Sequence, residues 1–271
     1  MNPAETLQLD GRFGFAVEIA RRAGEQTLAL FRAREFGLER KADGSPVTQA
    51  DRDAETLLRQ LIGERFPEDG ILGEEFGETP GTSGYRWILD PIDGTKSFVA
   101  GVPLYTTLVA VLRDERPEIG VICAPAAGEM VFAELAKGCW HAIGDDPPRR
   151  ARVSIVAELS DAVFVTTAVE AFSTGRERDA RRVVDELAAV CRVTRTWGDA
   201  FGYLLVATGR AEVMIDPVMN LWDAAALAPV IEEAGGRFCD WRGQPTVHSG
   251  EAVATNGALA EEVLRILAPH G

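Results

Sequence analysis

The chain predicts a layered α/β fold, antiparallel-rich in its first half and mixed α/β in its second. Three observations predict it. Residues 13–34 and 49–65, with apolar side chains at helical spacing, precede a run of strand-like segments between residues 85 and 138. From residue 161 onward, strand-like and helix-like segments alternate. The 271 residues are 46% hydrophobic and 26% charged, enough for one large domain or two closely packed ones.

The elements follow in order. In 13–34, Val17, Ala20, Gly24, Leu28 and Phe31 share one helical face. Gly44, Ser45 and Pro46 mark a loop. The next helix, Gln49 to Arg65, buries Leu57, Leu58, Leu61 and Ile62 and stops before Pro67. DGILGEEFG, from residue 69, is a short apolar piece running into two glutamates. YRWILD reads as a buried strand that ends at Asp90. LYTTLVAVLRD, EIGVICAPA and EMVFAELAKG read as further strands of an antiparallel meander. HAIGDDPPRRAR, residues 141–152, reads as the one internal boundary, with Arg149, Arg150 and Arg152 in a solvated connector. It divides the chain into 1–145 and 146–271.

In the second part DAVFVTTAV, CRVTRTW and AEVMID read as strands. GRERDARRVVDELAAV and GDAFGYLLVATG read as helices between them. LWDAAALAPVIEEAGG predicts one helix, kinked at Pro229 and stopped by Gly235 and Gly236. A last strand and helix lie in GEAVATNGALAEEVLRIL.

Charge narrows the function classes. A net charge of −14 repels nucleic acid and anionic membrane surfaces. No apolar run is long enough to span a bilayer, and MNPAETLQLDG lacks a signal-peptide layout, so a cytoplasmic protein is the expectation. The four cysteines match no zinc spacing and the three histidines are scattered, so any metal is held by oxygen.

WILDPIDGTKSF, Trp87 to Phe98, carries the chemistry. Asp90 and Asp93 follow an apolar run, and a turn of this kind directs two carboxylates and the Ile92 carbonyl into one space. Gly94 permits the backbone that such a turn needs. Glu74 and Glu75 end one apolar piece, and Asp51 and Asp223 start helices. Any one of these acids taken alone reads equally as a helix cap or a solvated side chain. Together they suit two hard cations about 3.5–4 Å apart, a clamp for phosphate that also activates water. Amides at Gly94 and Thr95 would bind phosphate oxygens.

Four blocks, KADGSPVTQAD at 41–51, GEE at 73–75, DPIDGTKSF at 90–98 and WDAAALAPVIEEAGG at 222–236, resemble the inositol monophosphatase family of magnesium-dependent phosphatases. The resemblance implies an αβαβα sandwich, a homodimer, and two or three Mg2+ ions per site, with Mn2+ as a substitute. It places Glu74, Asp90 and the Ile92 carbonyl on the first ion, and Asp90, Asp93 and Asp223 on the second. Glu74 would hold a third through waters. Thr95, hydrogen-bonded to Asp51, would orient or deprotonate the attacking water. Lys41 matches a lysine near the site in some relatives, and Glu75 is a possible contributor.

Within the family, DGTKSF differs from the DGTTNF usual in inositol monophosphatases, and Lys96 resembles the branch that hydrolyses histidinol phosphate. Asn220 stands where inositol monophosphatases often carry histidine. The resemblance therefore implies a phosphomonoesterase acting on a small phosphorylated metabolite, with histidinol phosphate the expected substrate and inositol-1-phosphate the alternative. A non-catalytic metal- or ligand-binding regulator on the same fold is the other-class alternative. Asp199 and Asp216 are candidates for the ammonium group of histidinol phosphate, with a helix N-cap the alternative for Asp199 and a turn residue before Pro217 for Asp216; Arg195 is a candidate for the same pocket, with a surface role as its alternative.

Overall fold

The computed structural model describes residues 7, 9–34, 37–40, 46–174 and 179–268. Lys41 and His270 lie outside them. The chain opens with α1 (Gly11–Ala33), a small antiparallel pair β1 (Leu38–Arg40) and β2 (Pro46–Thr48), and α2 (Gln49–Arg65). Then come β3 (Gly70–Gly73), β4 (Gly77–Thr79), β5 (Tyr85–Asp93) and the short α3 (Thr95–Ala100). The meander follows as β6 (Thr106–Arg113), β7 (Arg116–Ala124), β8 (Glu129–Glu134), β9 (Gly138–Ile143) and β10 (Arg149–Arg150). The second part holds β11 (Val163–Thr166), α4 (Ala171–Thr174), α5 (Arg181–Val190), β12 (Val193–Arg195) and α6 (Ala200–Ala207). It closes with β13 (Val213–Asp216), α7 (Leu221–Ala224), α8 (Leu227–Glu233), β14 (Arg237–Cys239), β15 (Ala252–Thr255) and α9 (Ala260–Leu267).

Strands β10-β9-β8-β7-β6-β5-β3-β4 form one sheet and β12-β11-β13-β15-β14 a second. Period-two alternation explains the layering. On β6, Val109 and Val111 face the cluster made with α1 and α2, while Leu108, Ala110 and Leu112 face the opposite cluster. That opposite cluster contains α6 and α8 and receives Met214, Ala252 and Ala254 from the second sheet. The other face of the second sheet, with Val213, Ile215 and Val253, packs on α5 and α9. The order is α1/α2, first sheet, α6/α8, second sheet, α5/α9: the expected αβαβα sandwich. A Cβ on Gly120 would sit 2.0 Å from the Ala226 carbonyl oxygen, so glycine lets α8 close onto β7.

The meander is antiparallel as expected, and β3 beside it runs parallel to β5. Three expectations change. The strand from Tyr85 does not stop at Asp90 but resumes pairing at Asp93 after an irregularity. The 141–152 segment is no free connector, since β10 pairs with β9 at the sheet edge and the Arg150 guanidinium lies 4.2 Å from the Trp140 ring centroid. The helix from Leu221 breaks into α7 and α8. Pro229 explains the break, because a proline ring clashes with the carbonyl four residues back, at Ala225, and is tolerated in the first turn of a new helix. Among the described residues no helix is long and apolar enough to cross a membrane.

Candidate active site

Pro91 and Ile92 interrupt the β5–β6 ladder between the pairs Asp90–Leu108 and Asp93–Thr106. In a regular strand two residues three apart face opposite sides; the bulge re-aims them to one. Proline suits the bulge because it has no N–H to leave unpaired, and its carbonyl accepts the Thr107 hydroxyl at 2.8 Å. Asp90 also accepts the Ile92 amide at 3.1 Å. Asp93 accepts the Thr106 hydroxyl at 2.9 Å and the Ala200 amide at 2.7 Å, which ties β5 to the start of α6.

A capping box delivers the third acid. Asp223, in the first turn of α7, accepts the Asn220 amide at 2.6 Å and the Asn220 side chain at 3.2 Å. One carboxylate oxygen each of Asp90, Asp93 and Asp223 then lies within 4.8 Å of the others. These three, with Glu74, Ile92, Gly94 and Thr95, border a cavity of about 540 Å³. Lys96, Asp199, Asp216 and Asn220 border it too. Gly94 has φ +84°, and a Cβ there would meet Asp199 Oδ2 at 2.6 Å, so two constraints demand glycine.

Electrostatics fit a site for cations. Burial, then repulsion from Glu74, Asp93, Asp223 and Asp51, pushes Asp90 well above the usual carboxylate range. Burial, then Asp199 and Asp223, does the same to Asp93. Asp223 is pushed up to about 7 by burial, with Glu74 and Asp199 adding to it and the Asn220 bonds opposing. Buried carboxylates that repel one another and offer only oxygen fit a hard dication. Glu74, Asp90, Asp93, Asp223 and the Ile92 carbonyl could hold such ions.

Some expected residues stand elsewhere. Asp51 does not bond Thr95. Its carboxylate caps α2, accepting the Thr48 hydroxyl at 2.5 Å and the Thr48 amide at 2.7 Å. The Thr95 hydroxyl instead donates to the Ile92 carbonyl at 3.1 Å. The reason is local: Asp51 occupies the third position of its helix, where the N-cap competes for it. Arg195 is exposed outside the cavity lining, where its guanidinium donates to the Thr194 carbonyl at 2.7 Å. Glu75 is half-buried and also outside the lining, and its amide is held by Glu55.

Glu55 is a supporting residue that the sequence reading missed. It is fully buried, pairs with Arg59 at 2.7 Å, and accepts the Glu75 and Phe76 amides at 2.8 and 3.2 Å. Arg59 reaches on to the Gly77 carbonyl and Thr79 hydroxyl. This clamp holds the turn that carries Glu74. The available signal was spacing: Glu55 lies four residues after Asp51, on the same helical face. Tyr203 and Thr167, which bond Asp216, were missed as well.

The sequence profile of the inositol monophosphatase family matches residues 9–271. The chain belongs to that family. It is 42% identical over 250 residues to a histidinol-phosphatase of Chlorobaculum parvum, covering 92% of this chain and 93% of that protein. It is 41% identical over 249 residues to a histidinol-phosphatase of Mycobacterium tuberculosis, covering 92% and 95%. The structure of the extragenic suppressor protein suhB from Bartonella henselae matches with a TM-score of 0.86 at 26% identity, over 96% of this chain and 100% of that one. The fold derived from strand alternation is thus the inositol monophosphatase fold.

Proposed function

We propose that this chain is a magnesium-dependent phosphomonoesterase that hydrolyses histidinol phosphate to histidinol and phosphate by direct attack of water. One observation carries the reading: the cavity holds carboxylates beyond those that converge. Asp90, Asp93 and Asp223 come together at one point, and Asp199, which lies against Gly94, and Asp216 line the cavity beside them. A phosphate ester that also carries an ammonium group matches that layout. The 42% and 41% identities to histidinol-phosphatases support it.

Glu74, Asp90 and the Ile92 carbonyl would hold the first magnesium, and Asp90, Asp93 and Asp223 the second, with a third on Glu74 through waters. When bound, the ions supply positive charge to the phosphate and lower the pKa of water. Amides at Gly94 and Thr95 would donate to phosphate oxygens. The Thr95 hydroxyl gives its proton to Ile92, so its lone pairs are free to accept one from the attacking water and orient it. Asp51 stays with Thr48, which leaves Glu74 as the cavity carboxylate able to take the water's proton. Asp199 and Asp216 would face the ammonium group, whose charge-assisted bonds are about twice as strong as those of an inositol hydroxyl. Family resemblance also supports a cytoplasmic homodimer.

Phosphate release from histidinol phosphate, inositol-1-phosphate, fructose-1,6-bisphosphate and 3′-phosphoadenosine 5′-phosphate, with and without Mg2+, tests this. The expected kcat/KM for histidinol phosphate exceeds that for inositol-1-phosphate by about tenfold or more. Equal turnover or a preference for inositol-1-phosphate overturns the substrate, and turnover in chelator overturns the metal chemistry.

A further inference from the structure

Seven carboxylates and one lysine line the cavity among the described residues. Glu74, Asp90, Asp93 and Asp223 belong to the metal end. Asp199 lies against Gly94, and the Lys96 charge offsets its own. Asp216 is 5% exposed and already accepts from the Tyr203 hydroxyl at 3.1 Å and from both Thr167 donors. Glu170 is different. It is exposed, and its carboxylate has no hydrogen-bond or ion-pair partner among the described residues.

The turn that carries Glu170 is firmly held. Its carbonyl accepts the Ser173 and Thr174 amides at 3.1 and 3.0 Å, at the start of α4. Upstream, the Thr166 hydroxyl bonds the Ile215 carbonyl at 2.7 Å, and Thr167 packs so tightly on Gly198 that a Cβ there would meet Thr167 Oγ1 at 2.2 Å. Val169, half-buried, and Val218, 49% exposed, border the same cavity. Two apolar side chains and one open hydrogen-bond acceptor bordering one cavity suit a flat ring with N–H groups on its edge.

We propose that Glu170 is a specificity-determining residue that accepts an N–H from the imidazole of the leaving group, with Val169 and Val218 against the ring. This rests on histidinol phosphate being the substrate. It adds a contact distinct from those of Asp199 and Asp216, which face the ammonium group.

The test compares histidinol phosphate with O-phosphoethanolamine, which keeps the phosphate and ammonium but has no ring. Glu170→Ala should lower kcat/KM for histidinol phosphate about tenfold, mainly through KM, and change that for O-phosphoethanolamine by less than about twofold. Glu170→Gln keeps an acceptor oxygen and should recover part of the loss. Unchanged melting temperatures would exclude a folding defect. A wild-type preference for histidinol phosphate that survives Glu170→Ala overturns this proposal alone. A wild-type enzyme that treats both esters equally overturns the substrate reading and this proposal with it.

Discussion

The proposed metal end of the cavity is built on the eight-stranded sheet, from the β5 bulge, the turn after β3 and α7 packed beside them. The proposed leaving-group side is lined by loops of the five-stranded sheet, the turn after β11 and the segment after β13, with the segment before α6 lying against Gly94 between the two. At the metal end Asp90 and Asp93 are 2% and 7% exposed, and ladder, cap and backbone amides orient the acids. At the other end Glu170 and Val218 are open to solvent. The difference separates two tasks. Phosphate chemistry is common to many esters and demands fixed charge. Recognition of one leaving group is set by loops that can vary without disturbing the sheet.

Breaking the metal end should cost most. Asp90→Asn keeps an oxygen to accept the Ile92 amide but removes the charge shared by both proposed ion sites. Turnover should fall on the order of 10³-fold for every ester alike. The metal-free variant should melt no lower than wild type, since a buried, mutually repelling carboxylate is gone. The Mg2+-induced rise in melting temperature should vanish. A loss confined to histidinol phosphate would show that the two ends are not separable.

The metal end also predicts a pH dependence. Asp90 and Asp93 are held well above the usual carboxylate range and Asp223 near 7, chiefly by burial. Such groups bind protons more tightly folded than unfolded. Their stabilisation is complete below about pH 4 and is lost as pH rises through their raised values, about 7 for Asp223. Asp69 and Glu129, whose pKa values are lowered by hydrogen bonds to Arg12, and to His141 and Arg210, act oppositely, but their losses fall below about pH 4. In chelator, the melting temperature should therefore drop by several degrees (~5 °C) between pH 6 and 8, and Mg2+ should restore more at pH 8 than at pH 6. A flat or rising metal-free curve over that range would mean that the acids do not strain the empty site.

How far each end was legible follows from the same contrast. The acids of DPIDG and the Asp at the start of WDAAALAPVIEEAGG were readable because short-range spacing places them: a bulge for one pair, a helix N-terminus for the other. The strands were readable because both faces of each sheet are covered, so apolar runs are long. What failed was competition and distance. Asp51 was expected on Thr95 and sits on Thr48, because a capping box three residues away is a nearer partner. Arg195 was open to a pocket or a surface role in sequence, and β12 ends with its side chain turned out to solvent. Glu170 carries no local pattern at all. Its place in the cavity depends on Thr167 packing against Gly198, a contact thirty-one residues apart in the chain.

The smallest expected effect sits at the leaving-group end, at Asp216. Burial pushes this carboxyl up to about 7, and the nearby Asp199 adds to the shift, while Thr167 and Tyr203 oppose it by donating. A group that titrates there is mostly neutral at pH 6 and mostly charged at pH 8. If it faces the ammonium group, the preference for histidinol phosphate over glycerol 2-phosphate should grow through that range. Asp216→Asn preserves the shape and the acceptor for Tyr203 but stays neutral throughout. It should reduce the ratio of kcat/KM values roughly three- to fivefold at pH 8 and hardly at all at pH 6, leaving glycerol 2-phosphate almost untouched. The effect is smaller than for Asp90→Asn because the Asp216 oxygens are already partly engaged by Tyr203 and Thr167. An equal slowing of both esters would make Asp216 a support for the fold beneath Tyr203. A preference that ignores pH in wild type would put the ammonium group on Asp199 alone.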